Sequence, residues 1–252
     1  IFYRFLIAYL GIWVISPKRL FTNNWQDELW LVAGGIFGGS LYFFTENTAL
    51  GITQASNVSF IICTAPLLTT ILSLLFYKSE KASKGLIYGS LLALMGVGLI
   101  VFNGSFVLKI SPIGDLLTLL AALSWAFYSL IIKKMAGRYP TIFITRKIFF
   151  YGVLTILPAF LLHPLHPDTV VLLQPAVLFN LLFLAVLASL ICYVLWNVVL
   201  KQLGTVRASN YIYLNPLVTM IASFLILDEK ITLVALGGAA CIVCGVYWAE
   251  KK

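Results

Sequence analysis

The side chains of this 252-residue chain that could do chemistry are few, and most of them interrupt long apolar runs. One set is Tyr42, Thr45, Glu46 and Asn47, followed past Gly51 by Ser56, Asn57, Ser59 and Thr64. A second set is Tyr193, Trp196 and Asn197, followed past Gly204 by Ser209, Asn210, Tyr211, Tyr213 and Asn215. These are hydroxyls, amides and aromatic rings, which suit reversible hydrogen bonding and stacking rather than bond making. Polar groups deep in membrane-length apolar runs must face other helices or a wet cavity, since lipid offers them no partner.

Glu46 stands out as the acid placed well inside such a run. A buried carboxylate is stabilised only by pairing or protonation, so Glu46 is a proton-coupling candidate; hydration near the outer surface is the alternative. Asp115 falls near a helix start, where the helix dipole favours a carboxylate. Arg146 and Lys147 lie a turn inside their run, and their stems are long enough for the charges to snorkel to the interface.

Catalysis is not indicated. His163 and His166 occupy a short polar connection without a third ligand, and Cys63, Cys192, Cys241 and Cys244 all lie in apolar runs. Cys241-x-x-Cys244 lacks a second pair and reads as helix packing. With neither a nucleophile–base pair nor a metal cluster, we expect no catalytic residue, no metal and no cofactor.

The elements that position these residues follow from composition. The chain is 61% hydrophobic and 10% charged, with a mean hydropathy of +1.00. It has too few polar side chains to cover a soluble globule, and reads as an all-α, polytopic transmembrane bundle. The net charge of +8 is scattered in small groups between the runs, so it argues for membrane topology and against nucleic acid. Helices are expected at about 29–50, 54–77, 84–103, 112–135, 141–162, 175–201, 205–227 and 231–249, after a first run at 1–15. That first run is short of the roughly 20 residues that span a bilayer. Because the chain also begins without Met, more helix is expected upstream. Ser16-Pro17 ends the run, and a polar connection containing Asp27 and Glu28 follows.

The order Leu-Gly, Ala-Ser-Asn, Pro-Leu-x-Thr-x-Ile-x-Ser, Glu-Lys occurs at 50–81 and again at 203–230, with a constant offset of 150 from Pro66 to Leu75. This is an internal duplication. Assigning successive helix ends to alternate sides puts 14 of the 17 basic residues on one face and only Arg4, Lys109 and Lys230 on the other. The positive-inside rule makes the rich face cytoplasmic and leaves Lys252 inside. The copies are then antiparallel, as an odd number of helices per repeat requires, and inverted repeats are a mark of secondary transporters.

The two Ala-Ser-Asn…Pro-Leu…Glu-Lys helices, Leu123-Ser124-Trp125-Ala126-Phe127-Tyr128 and the opening Phe2-Tyr3-Arg4-Phe5-Leu6 resemble the EamA-type transporters of the drug/metabolite transporter superfamily. The resemblance implies two inverted five-helix repeats, here 1–104 without its first helix and 112–252, forming a single membrane domain. It also implies export of amino acids or other small metabolites.

On this reading Tyr42, Trp125, Tyr128, Tyr193, Trp196, Tyr211 and Tyr213 line a largely aromatic, uncharged cavity, and the two polar sets form a hairpin at each mouth. Pro66 and Pro216, close to mid-span, are candidate hinges, because a missing N–H weakens the helix. The expected partners are a small-molecule substrate and the lipid bilayer of a plasma (inner) membrane, with the chain a monomer or homodimer. A channel or a flippase-like lipid carrier is the competing class.

Overall fold

In a computed structural model the chain is described over residues 1–17, 21–77, 83–102, 111–162, 169–227 and 231–251. Lys18, Arg19, Lys78, Glu80, Lys81, Lys109, His163, His166, Glu229, Lys230 and Lys252 lie outside the described residues. Among those that are described there is no strand, and nine long helices carry the fold.

They are α1 (Phe2–Ile15), α2 (25–50), α3 (Ala55–Phe76), α4 (Lys84–Phe102), α5 (Pro112–Ala136), α6 (Thr141–Leu161), α7 (Pro175–Leu203), α8 (Thr205–Ile226) and α9 (Leu233–Glu250). Seven, α3 to α9, are long and apolar enough to cross a membrane. At 14 residues α1 is too short by itself, and α2 is long enough but carries Asp27, Glu28 and Glu46.

α2 begins four residues before its expected start. Asn24 caps it, its side chain accepting from Gln26 N at 2.9 Å, and Asp27 and Glu28 fall in the first turn, where exposed N–H groups favour acids. The expected polar connection is therefore partly helix, and both carboxylates are buried.

Two compact units divide the chain differently from the sequence repeats, each drawing on both copies. The first comprises 1–44 and 127–202, the second 45–126 and 203–252.

In the first unit, α2 and α7 each contain a π-helical stretch, Ile36–Ser40 and Phe183–Ile191. The offset nearest these stretches is 153, from Leu50-Gly51 to Leu203-Gly204, and it carries 36–40 to 189–193, which overlaps the end of the second stretch, so both copies have a widened turn in the corresponding helix. α1 packs on the π stretch of α7, and α6 packs on that of α2. A π turn redirects carbonyls that an α-helix would use internally. Here Ala188 O accepts from Arg4 at 3.2 Å and Gly38 O from the Tyr193 hydroxyl at 2.5 Å. Glycine at position 38 also makes room for the Tyr128 ring, which a Cβ there would approach to 2.2 Å. Phe5, Phe149 and Tyr193 fill the centre of this unit with rings 5.1–6.0 Å apart.

In the second unit, α4 and α9 cross in backbone contact at Gly89–Gly245 and Gly96–Gly238. The residue numbers rise along one helix as they fall along the other, so the two run antiparallel. Cys63, Ala93, Val97, Tyr213, Ile242 and Val246 form the core beside them.

α3 and α8 are both interrupted. α3 consists of Ala55–Ile62, a turn at Cys63 and Thr64, and Ala65–Phe76; α8 consists of Thr205–Asn210, a 3₁₀ turn Tyr211–Leu214 and Asn215–Leu227. Pro66 and Pro216 each stand second in the segment that restarts the helix. That is where a residue without an N–H fits best, since the first turn has no carbonyl behind it to bond. The stretch after the break in α3 packs against the stretch before the break in α8.

Candidate functional site

The first unit holds the charges. Glu28 accepts from Lys147 Nζ and the Tyr151 hydroxyl, and also from Thr22 N at 2.9 Å and Thr22 Oγ1 at 2.7 Å. Asp27 accepts from Arg138 at 2.5 Å and from the Tyr139 hydroxyl at 2.9 Å. Tyr139 lies in the turn between α5 and α6, where burial and then the neighbouring Asp27 push its phenol above the ordinary range.

Snorkelling is not what Arg146 and Lys147 do, for they are 1% and 0% exposed. Arg146 donates to Ser16 O at 2.5 Å, at the C-terminal end of α1 where a cation opposes the helix dipole, and Lys147 meets Glu28. Glu46 is therefore not the only acid within the bundle. A carboxylate bonded to a buried ammonium is charge-matched and structural, however, whereas Glu46 is half-buried in the second unit.

A neutral network lies beside this cluster. The Tyr128 hydroxyl donates to Asn197 Oδ1 at 2.7 Å, and Asn197 Nδ2 donates to Thr145 Oγ1 at 2.9 Å. Both ends of the Asn197 amide are thus engaged, and Tyr128 and Tyr193 are buried with their rings 5.9 Å apart. Tyr42 packs edge-on to Phe43 at 4.8 Å, and Trp196 is half-buried on α7. Among the predicted site residues this brings Tyr128, Tyr193 and Asn197 together as packing.

The second unit differs. Ser90 donates to Asn210 Oδ1 at 3.4 Å, and Tyr213 is fully buried beside Ser90. Among the described residues, Thr205 Oγ1, Ser209 Oγ and Asn210 Nδ2 are buried without a hydrogen-bond partner. Each such group is destabilising by about 1–3 kcal/mol unless water or a ligand reaches it. Thr205 and Ser209 are spaced four apart within the first α-helical segment of α8 and so share one face of it.

Asn57 is buried, Ser56 and Trp125 are half-buried, and Asn47, Tyr211 and Asn215 are exposed. Thr64 bonds Ile61 O at 2.6 Å in its own helix. At α5, Asp115 accepts from Ser111 N at 3.1 Å and Thr53 Oγ1 at 3.3 Å, in the helix's first turn.

Helices of bilayer length with buried polar stripes and no strand among the described residues define a polytopic all-α membrane protein. The profile of the EamA-like transporter family matches residues 1–102 and again 112–249, and the chain belongs to that family. It is a transporter rather than an enzyme.

An "Uncharacterized transporter" of Archaeoglobus fulgidus is 30% identical over 256 aligned residues, covering 100% of this chain and 86% of the relative. A "Probable amino-acid metabolite efflux pump" of Escherichia coli is 23% identical, covering 96% of this chain and 81% of the pump. A similarly named Salmonella typhimurium protein is 29% identical over 68% of this chain and 60% of its own length. A solved structure described as "Crystal structure of protein" superposes with a TM-score of 0.80 at 18% identity, covering 98% of this chain and 85% of the other, and so shares the fold.

Proposed function

We propose that this transporter exports small amphipathic or zwitterionic metabolites, such as amino acids, across a plasma membrane by alternating access, with its C-terminus cytoplasmic. The observation that carries the reading is the paired break in α3 and α8, where Pro66 and Pro216 restart the helix at equivalent places in two sequence copies. A helix interrupted in its span has a low barrier to tilting one half, and antiparallel copies would apply the same event to opposite mouths. Ser209 and Asn210 offer unmet hydrogen bonds beside the break in α8 and are the polar contacts assigned to substrate, with Glu46 as the proton carrier. The names of the Escherichia coli and Salmonella typhimurium relatives support amino-acid metabolites as the class.

The test is counterflow in proteoliposomes loaded with candidate amino acids. Saturable exchange without electrical conductance supports the carrier. Steady conductance would indicate a channel, and scrambling of labelled phospholipid without solute exchange would indicate a lipid carrier.

A further inference from the structure

In the core of the second unit the two sequence copies meet each other. Gly89 and Gly96-Val97 on α4 match Gly238 and Gly245-Val246 on α9 at an offset of 149, which makes Ala93 the equivalent of Ile242 and Val97 that of Val246. The offset of 150 that holds from Pro66, carried three residues back, makes Cys63 in the break of α3 the equivalent of Tyr213 in the break of α8. The six buried side chains of this core, Cys63, Ala93, Val97, Tyr213, Ile242 and Val246, are therefore three pairs of repeat-equivalents. The Cys63 thiol and the Tyr213 phenol lie within electrostatic reach of each other. A residue can pack beside its own equivalent only near the twofold axis that relates the copies. The pairs are unequal, however. Cys63 and Ala93, from the first copy, are small, and Tyr213 and Ile242, from the second, are large. The hydrogen bond from Ser90 to Asn210 at 3.4 Å is one-sided too, since the equivalents are Ala239 and Asn57 and alanine has no hydroxyl to donate.

We propose that this inequality on the axis sets the face to which the transporter rests open, with the Cys63–Tyr213 pair as its main determinant. The inference rests on the alternating-access reading above. In that scheme each copy takes the other's conformation as the open face changes, so identical copies would leave the two states equal in energy. The difference arises where the copies differ, and it enters most directly where equivalents share one packed space. On exchange the Tyr213 ring would have to enter the room that suits a thiol, and the Cys63 thiol would leave part of the ring's space empty. Overpacking and cavity formation are both unfavourable in a close-packed interior, so the pair holds the chain in the state described.

The experiment uses the full chain in proteoliposomes, in a parent that carries Cys63→Ala and alanine in place of Cys192, Cys241 and Cys244. Ser209→Cys and, separately, its repeat-equivalent Ser56→Cys are the reporters, and the ratio of their labelling by an impermeant maleimide from inside and from outside reads the resting preference. Cys63→Tyr combined with Tyr213→Ala exchanges the pair and should move both ratios about tenfold toward the face that the parent disfavours. Cys63→Val combined with Tyr213→Val equalises the two positions at nearly unchanged total volume, and should move them about half as far on a logarithmic scale. This second variant decides the matter if the exchanged one does not fold. Counterflow is measured on the same liposomes. Saturable counterflow with neither ratio moved, or with both moved toward the parent's preferred face, overturns the proposal and leaves alternating access standing. Movement at Ser209→Cys alone is local repacking and overturns it as well. Steady conductance in the parent overturns alternating access, and this proposal with it.

Discussion

Gly89 lies in backbone contact with Gly245, and Gly245 is the repeat-equivalent of Gly96, not of Gly89. The reciprocal pair, Gly96 with Gly238, completes the exchange, since both equivalents stand 149 residues apart (238 − 89 and 245 − 96). Such a swap is what a twofold operation that reverses helix direction produces. It accounts for glycine at all four positions, where any Cβ would meet backbone of the opposing helix.

Gly89→Ala should therefore destabilise the protein. The new Cβ would lie 2.4 Å from Gly245 O and 2.5 Å from Ala249 N, atoms that can move only if α4 and α9 separate. A loss of about 1–3 kcal/mol is expected, read as a lower melting temperature in detergent. Gly237→Ala, on α9 with nothing within 4 Å of the new Cβ, should be neutral or slightly stabilising.

Breaking the buried pair between Glu28 and Lys147 should be severe in either direction. Glu28→Gln and Lys147→Met each leave an uncompensated charge and should lower stability by about 3–5 kcal/mol. The double variant should recover much of that loss, which a double-mutant cycle on melting temperatures would detect. Additive losses would show that the two charges are not coupled.

Much of the fold was legible because Pro, Gly and charge punctuate apolar runs. The helices expected at 84–103, 112–135 and 205–227 are observed as Lys84–Phe102, Pro112–Ala136 and Thr205–Ile226. Hydropathy alone starts α2 late because it rejects Asp27 and Glu28, although Asn24 followed by acids is an N-terminal signature. The pairing of Lys147 with Glu28 had no local signal, since it depends on which helix α6 faces. The π stretches were likewise silent, because one extra residue in a turn leaves composition unchanged. Among candidate site residues, sequence grouped Asn197 with Asn210. Their hydrogen bonding differs, for both ends of the Asn197 amide are bonded while Asn210 Nδ2 has no partner among the described residues.

Glu46→Gln should abolish uptake or efflux driven by a pH gradient while leaving substrate exchange at equal pH largely intact, because exchange needs no net proton movement. The two assays on the same proteoliposomes separate coupling from binding. Loss of both would give Glu46 a binding or structural role instead, and unchanged pH-driven flux would remove it from the mechanism.

The proposed topology is checked by impermeant thiol labelling in a background without Cys63, Cys192, Cys241 and Cys244. Cysteine at Gly51 and at Gln174, both exposed, should label only from outside, and at Gly137 and Lys251 only from inside. Labelling of Gly51 and Gly137 from the same face would contradict the alternation of helices.

Alternating access through equivalent helix breaks is tested most directly by Pro66→Ala and Pro216→Ala, with Ser209→Cys as the reporter in that same background. Alanine supplies the N–H that a continuous helix would bond to the carbonyl four residues back, so the break can close into a straighter, stiffer helix. In antiparallel copies this should bias opposite mouths toward closure. Side-specific labelling of Ser209→Cys should then shift toward one face in Pro66→Ala and toward the other in Pro216→Ala. A shift toward the same face in both, or no shift while transport persists, would contradict the account.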